Sequence, residues 1–330
     1  MATQVAIEQA LLASKRLLTA GITAGLEGSR AERVRTRMET LFEETVVGGK
    51  YERSRLLVDA YLALKPQGDF AAAVQLSTSI EFMQAFFLVM DDVMDQSETR
   101  RGKSCWYRRP DVGLKAINDG LVLEQAADLV VPEHPNKEAM LAAIRQTKTM
   151  TVAGQAFDIE CEGLNDCTWT DYAQLVERKT SHYTYFCPVQ LAMLLADVSR
   201  GVPDVRRVCY DIGYLFQSQD DFLDVFGDEK VTGKVGTDLK EGKCTWVTCR
   251  ALEKASPEDM KILRDNFGKS DDESVFILKA VMRRLHIDND FQKFQTSFAA
   301  TVETNIRRLP VVELQPVLLD AVKRIMNRRK

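Results

Sequence analysis

Apolar positions recur along nearly the whole chain at intervals of three and four residues, the spacing of one helix face. That period predicts helices over roughly 4–22, 30–47, 51–65, 71–97, 113–130, 137–163, 169–199, 203–226, 239–254, 257–267, 272–286, 288–308 and 313–328. The breaks fall on Pro66 to Gly68, Arg109-Pro110, Pro132 to Pro135, Gly201 to Pro203 and Gly233 to Gly236. No segment alternates apolar and polar residues as a half-buried strand would, and there is neither a low-complexity linker nor a repeat of fixed period. The expectation is one all-α domain over residues 1–330. Several helices longer than 20 residues would form a large antiparallel bundle around a central cavity.

One stretch breaks the pattern. In "FFLVMDDVMD", residues 86–95, five apolar residues cover every face of a helical turn and then meet Asp91, Asp92 and Asp95. A bare carboxylate in such surroundings costs several kcal/mol unless something positive compensates it. Either the helix ends at a solvent-filled mouth or the aspartates hold a cation.

Composition narrows the field only a little. The chain has 330 residues, 45% of them hydrophobic and 28% charged, with a formal net charge of −4. That suits a globular protein with a large core and gives no argument for nucleic acid or an acidic membrane as partner. No run reaches the roughly 18 consecutive apolar residues of a membrane helix, so no membrane span is expected. The seven cysteines include no C-x-x-C pair, and reduced thiols in the cytoplasm are expected. The N-terminal "MATQVAIEQALLASKRL" lacks a continuous apolar h-region and cleavage site, so a secretory signal is not expected. His134, His182 and His286 are dispersed, which argues against zinc.

The acidic pattern occurs twice. "FQSQDDFLDVFGD" repeats D-D-x-x-D at Asp220, Asp221 and Asp224. On a helix, i and i+4 share a face and i+1 flanks them, so each motif offers a cluster of hard oxygen donors. Such donors suit Mg²⁺ completed by water and phosphate oxygens. A lone copy reads equally well as a solvated helix end; two copies, each after an apolar run, favour the metal. Basic residues stand beside them: Arg100 and Arg101 in "ETRRGK", Lys50 and Arg53 in "VGGKYERSR", Lys179 in "VERKTSHYTYF", Lys234 in "VTGKVGTD" and Lys243 in "EGKCTW". Arginine pairs with phosphate in bidentate geometry.

"QAFFLVMDDVMDQSETRRGKSCWYR" closely resembles the first aspartate-rich region of farnesyl diphosphate synthases. "FQSQDDFLDVFGDEKVTGKVGTDLKEGKCTW" resembles their second. The likeness runs from the Gly-Lys-x-x-Arg block at Lys50 to the basic tail. It implies the isoprenyl diphosphate synthase helix bundle, a homodimer, and Mg²⁺-dependent elongation of dimethylallyl and geranyl diphosphate by isopentenyl diphosphate, with Mn²⁺ as a substitute ion. It puts Asp91, Asp92, Asp95, Asp220, Asp221 and Asp224 on the metal. Arg100, Lys179 and Lys234 would touch the allylic diphosphate, and Lys50, Arg53, Gln84 and Arg101 would hold isopentenyl diphosphate. Thr180, Tyr183 and Gln217 would line the reacting centre, Gln155 and Asp158 would stand beside the metal, and Arg328 to Lys330 would close over the site. Phe86 and Phe87, five and four residues before the first aspartate, would form the floor of the prenyl pocket. Three positions depart from the expected pattern: Met90 stands where a small residue is common, Phe222 where tyrosine is, and His182 where an aromatic is.

The chemistry so implied needs no nucleophile–base pair. Metal and arginine stabilise a departing diphosphate, and a dry apolar pocket keeps water from the cation. A diverged lyase on the same fold would have no use for the isopentenyl-binding set, and a non-catalytic partner subunit would be expected to lose aspartates. Lys50, Arg53, Gln84, Arg101 and all six aspartates stand.

Overall fold

The structure is a computed structural model that describes residues 2–227 and 236–328. Lys234, Arg329 and Lys330 lie outside the described residues. The chain forms two compact units, one of Met1–Lys148 with Cys187–Ser199 and one of Thr149–Phe186 with Arg200–Lys330.

In the first unit α1 (Ala2–Ile22), α2 (Gly28–Leu41), α3 (Glu52–Leu64), α4 (Phe70–Met94), α5 (Ala116–Leu129) and α8 (Cys187–Leu195) surround one core. The centre is α4. Asp69 starts it, accepting a hydrogen bond from Ala72 N while its own N–H donates to Tyr61 Oη at 2.9 Å. Being apolar on all sides, α4 is packed on all sides, against α1, α3, α5 and α8. By length and composition it could cross a membrane, yet 72% of its most apolar window is buried inside the protein, as befits a core helix. Ile80, Phe82 and Met83 are wholly buried, with Phe42 edge-on to Phe82 at 5.2 Å.

The second unit is organised around α9 (Val202–Phe226), which starts after Gly201 at φ 70° with Pro203 in its first turn. Helices Trp246–Lys254, Ile287–Arg307 and Gln315–Met326 pack on it. Side-chain caps fix several starts: Thr168 for α7 (Trp169–Val176), Thr245 for Trp246–Lys254, and a Ser256–Asp259 capping box for Pro257–Asn266. The core here is aromatic. Phe222 stacks on Phe291 at 4.2 Å, Trp246 meets Phe291 edge-on at 5.1 Å, and Tyr172 meets Tyr214 at 5.4 Å. Each such pair adds about 0.5–1.5 kcal/mol beyond area burial. Phe222, one of the unexpected residues, is therefore a core ring, and its place calls for no hydroxyl.

The chain is helical as periodicity predicts, with four local differences. A two-residue antiparallel hairpin pairs Thr99–Arg100 with Lys103–Ser104. Its turn residues Arg101 and Gly102 have φ of 53° and 75°, the twist a tight hairpin demands. The segment 239–254 is broken at 242–245, where Gly242 turns at φ 69°. Residues 30–47 end in a π turn over Phe42–Val46. Most consequential, the helix predicted over 169–199 passes through a ten-residue π-helical stretch, Glu177–Phe186. Pro188 explains why: it lacks the N–H that residue 184 would receive, and its ring disfavours regular winding upstream.

Two glycines admit the wide π stretch. A Cβ on Gly213 of α9 would lie 2.3–2.6 Å from Ser181 Oγ, Cβ and Cα, and one on Gly154 of α6 (Lys137–Ile159) would lie 2.6 Å from Lys179 N. Gly213→Ala is accordingly expected to lower stability by about 1–3 kcal/mol, the range for overpacking a core. A urea denaturation midpoint equal to that of the wild type would show that the π stretch yields freely.

Candidate active site

The first aspartate motif ends α4. Three carboxylates at a helix C-terminus oppose the helix dipole and call for positive charge. The hairpin supplies it: Arg100 Nε donates to Asp92 Oδ1 at 2.6 Å, and Nη2 donates to Asp91 Oδ2 at 3.1 Å. The three aspartates are not equivalent. Asp92 is buried, while Asp91 and Asp95 are half-buried. Burial raises the Asp92 pKa, against the pull of Arg100. The middle aspartate is thus a bracket for Arg100.

The hairpin is itself tied down by a residue that motif reading missed. Asp119 of α5 is fully buried and accepts from Trp106 Nε1 at 2.9 Å and Arg37 Nη2 at 2.7 Å. Trp106 follows the hairpin directly. Nothing in the linear sequence sets Asp119 apart from Glu124 and Asp128 of the same helix.

Most of the basic set assigned to isopentenyl diphosphate comes together in the first unit. Arg53 Nη1 donates to Gln84 Oε1 at 3.0 Å. The Arg101 guanidinium lies over Gly49, where an added Cβ would be 3.4 Å from Nη2. Lys50 is exposed beside it, and Tyr51 turns the chain at φ 52° while its hydroxyl accepts from Gly48 N. Beneath them Glu81 is buried, bonded by Ser54 Oγ at 2.5 Å; burial raises its pKa while Ser54, Arg53 and Arg101 oppose the rise.

Phe86 and Phe87 lie 5.2 Å apart, rings tilted by 44°, with Phe86 buried and Phe87 half-buried. Met90 packs toward α5 at Gly120, where an added Cβ would stand 2.7 Å from Met90 Sδ and 3.7 Å from Phe86 Cδ2.

The second motif lies on α9, and its middle aspartate is again the buried one. Asp221 Oδ2 accepts from Tyr172 Oη at 2.7 Å and Trp246 N at 2.9 Å, and Oδ1 accepts from Gln217 Nε2 at 2.8 Å. Burial pushes its pKa up to about 7 against those three donors. Asp221, which the family likeness puts on the metal, accepts protein donors at both oxygens. Gln217 Oε1 in turn accepts from Thr180 Oγ1 at 2.7 Å, so Thr180, Gln217 and Asp221 form one chain of hydrogen bonds. Tyr183 is half-buried on the same π stretch.

Asp220 and Asp224 are more open. Asp220 Oδ1 accepts from Arg328 Nη2 at 2.7 Å, whose guanidinium lies 4.8 Å over the Phe216 ring. Asp224 receives the N–H groups of Thr237 and Asp238 at 3.2 and 3.1 Å. Asp238, absent from the sequence reading, belongs to this cluster: burial and then Asp224 and Asp221 raise its pKa well above the usual value. An acid next to a glycine-rich loop was its only sequence signal.

Asp158 bridges two of the predicted lysines. Its Oδ2 accepts from Lys179 Nζ at 2.6 Å and Lys243 Nζ at 3.3 Å. Burial opposes ionisation, but the two ammonium groups together hold its pKa below the usual carboxylate value. Gln155, one turn earlier, is held in the same helix. His182 is a packed residue: Nδ1 lies 2.7 Å from Tyr210 Oη, the ring meets Phe186 and Tyr210 edge-on, and burial, then Arg206, lowers its pKa to about 4.

Comparison with known proteins decides the family. The model for the polyprenyl synthetase family, "Polyprenyl synthetase", matches residues 35–285. The chain belongs to the polyprenyl synthetase family. Among its relatives, farnesyl pyrophosphate synthase 1 of Cannabis sativa is 34% identical over 306 residues, 89% of this chain and 90% of that one. The farnesyl pyrophosphate synthase of Rattus norvegicus is 34% identical over 311 residues, 89% and 88% of the two chains. The crystal structure of T. brucei farnesyl diphosphate synthase superposes with a TM-score of 0.91 at 26% identity, covering 99% of each chain. In this polyprenyl synthetase, then, both acidic motifs and the basic set stand in a fold of known kind.

The Asp158 bridge gives a prediction with a defined sign. Its pKa is lower in the folded state, so its stabilisation is present above the unfolded carboxylate pKa of about 3.9 and is lost as pH falls through the folded value. Asp158→Asn should cost about 1.5–3 kcal/mol at pH 7, the worth of hydrogen bonds to a charged group. In urea titrations the gap from wild type should close below about pH 4; a gap independent of pH would refute the charge bridge.

Proposed function

We propose that the chain is a farnesyl diphosphate synthase, a prenyltransferase that condenses isopentenyl diphosphate with dimethylallyl and then geranyl diphosphate to form (2E,6E)-farnesyl diphosphate. The observation that carries the reading is the isopentenyl set in the first unit. Arg53 bonded to Gln84, with Arg101 over Gly49, offers guanidinium groups suited to a second diphosphate, which an ionising lyase would not need.

The donor set fits magnesium. Asp91, Asp95, Asp220 and Asp224 keep carboxylates at half-buried positions, and hard oxygen donors of this kind suit Mg²⁺. Asp92 and Asp221 act as positioning residues for their neighbours. When bound, the metal supplies Lewis-acid stabilisation of the leaving diphosphate. From the family likeness, Arg100, Lys179 and Lys234 would add positive charge to it, as would Lys243. The allylic C–O bond breaks with its electron pair on the diphosphate. The isopentenyl double bond then attacks the carbocation, and the departing diphosphate takes the proton lost. Thr180 and Gln217, bonded to one another, present a fixed polar rim there, with Tyr183 beside them. Phe86 and Phe87 lie about 6–7.5 Å along the helix from Asp91 and cap the growing chain.

A homodimer is part of the proposal. Leu114 (72%), Ile117 (41%), Leu121 (54%) and Leu129 (71%) are exposed apolar residues on and just before α5, three of them spaced to share a helical stripe. A second copy would cover it; sedimentation of Leu121→Glu as a monomer, against a wild-type dimer, tests this. The free thiols support the cytoplasm as the working compartment, which the distribution of a tagged chain would test.

The decisive experiment incubates pure protein with Mg²⁺, isopentenyl diphosphate and each primer, and chromatographs the dephosphorylated products. Fifteen-carbon product is expected, abolished by EDTA, and slowed at least about 10²–10³-fold by Asp91→Ala, as for loss of a key electrostatic group. Phe87→Ala should lengthen the product, since a dry apolar cavity accepts an apolar tail. A ten-carbon end product would overturn the farnesyl assignment, and no condensation would overturn the prenyltransferase.

A further inference from the structure

Cysteines that look scattered in the sequence meet in the second unit. Cys161 and Cys167 bracket the loop after α6, and both Sγ atoms approach the Gly163 carbonyl, at 3.9 and 3.5 Å. The Cys167 thiol neighbours those of Cys161 and Cys244. Cys244 Sγ lies 3.8 Å from Cys249 Sγ. Thiol contacts therefore run in sequence from Cys161 through Cys167 and Cys244 to Cys249. Cys105, Cys187 and Cys209 are buried apart from this chain of contacts.

The cluster has an opening. Cys161 and Cys244 line a cavity of about 160 Å³ with Asp158 and Asp171. Cys161 is half-buried, whereas Cys167, Cys244 and Cys249 are buried. A structural zinc site would gather its sulfurs around one point. Here the contacts string out in a line, and among the described residues no metal-ligating group of three converges. Two neighbouring thiols that share the Gly163 carbonyl, one of them lining a cavity, are instead the starting geometry for disulfide formation.

We propose that Cys161 and Cys167 form an oxidation site that takes hydrogen peroxide and closes to a disulfide, with Cys161 oxidised first. The Cys161 thiolate attacks one peroxide oxygen and the O–O bond breaks. The departing hydroxide takes a proton and leaves as water, and Cys161 becomes a sulfenic acid. The Cys167 sulfur then attacks the Cys161 sulfur, the S–O bond breaks, and a second water departs. Two thiols lose two electrons and two protons, and one peroxide is reduced to two waters. Cys161 suits the first role because it is the most open of the four, and because the hydrogen bond from Cys167 lowers its pKa against the effect of burial. Its Sγ also lies 3.6 Å from the carbonyl of Gly242, the turn before Lys243. Oxidation would withdraw that thiol and so reach the loop that carries the Lys243–Asp158 pair.

The test uses the full chain, first fully reduced, then titrated with hydrogen peroxide, alkylated and mapped by peptide mass spectrometry. Two of the seven thiols should be lost together as a Cys161–Cys167 disulfide that dithiothreitol reverses. Cys167→Ser should leave a Cys161 sulfenic acid that dimedone traps. Cys161→Ser should slow thiol loss at least tenfold. Wild-type maps need no variant to fold, and no readout needs turnover, so the result is independent of the proposed prenyl transfer. A Cys161 that stays reduced while methionines oxidise would overturn the proposal. So would a disulfide that excludes Cys161, or equal thiol loss in Cys161→Ser.

Discussion

A carboxylate that leaves water must be given donors, and much of this molecule is arranged to meet that demand. Asp92, Asp119, Asp158 and Asp221 are all buried, and each has positive or polar groups aimed at it. An unpaired ion in such a place would cost several kcal/mol, a large fraction of the stability of an ordinary domain. Every one of these acids therefore fixes the groups that satisfy it. Asp92 fixes Arg100, Asp119 fixes Trp106 and hence the hairpin, Asp158 fixes two lysines, and Asp221 fixes Gln217 and through it Thr180. Desolvation becomes orientation: the residues proposed to meet diphosphate are held by acids that do not meet it.

The same logic divides labour inside each D-D-x-x-D. Positions i and i+4 lie along one helix face, so the outer pair can share a ligand. Position i+1 is rotated by about 100° and points elsewhere. In both motifs that middle residue is buried, and in both it contacts donors from other elements: the hairpin for Asp92, and Tyr172 of α7 with the start of Trp246–Lys254 for Asp221. The motif therefore joins an outer pair of carboxylates on one face to an inner carboxylate bonded to neighbouring elements. This recurrence in two separate units argues that the spacing is set by the helix and not by accident of either environment.

Much of this was legible in the sequence, for reasons that also explain the rest. Helix periodicity is a local property and survives in any tertiary setting, so α4 and α9 stand nearly where apolar spacing puts them. The aspartate and basic motifs were legible because they are linear. What was illegible depends on partners distant in sequence. Nothing near Asp221 announces that Tyr172 and Trp246 will occupy its oxygens. The π stretch was hidden because Glu177–Phe186 keeps helix-forming composition; only Pro188, together with Gly154 and Gly213, hinted that the winding would widen. The longest thiol contact joins Cys167 to Cys244, 77 positions apart, a separation at which spacing rules are silent. The hairpin at Thr99–Ser104 was missed because two-residue strands carry no alternation; its Arg-Gly turn was the sole signal.

Met90 shows how a departure from a family pattern is absorbed. A long side chain directly before the first aspartate would be expected to crowd the prenyl pocket. Met90 instead directs its sulfur to Gly120 on α5, where even one added methyl would come within 2.7 Å of it. Heavy atoms do not approach so closely without displacement, so the space Met90 occupies exists because residue 120 has no side chain. Phe86 borders the same position, at 3.7 Å. Met90, Phe86 and Gly120 thus form one packing unit. The thioether is flexible enough to follow that shape where a branched side chain would not. The bulk at position 90 is therefore spent on the contact between α4 and α5, and the position that looks most anomalous in the sequence is matched by a glycine 30 residues away.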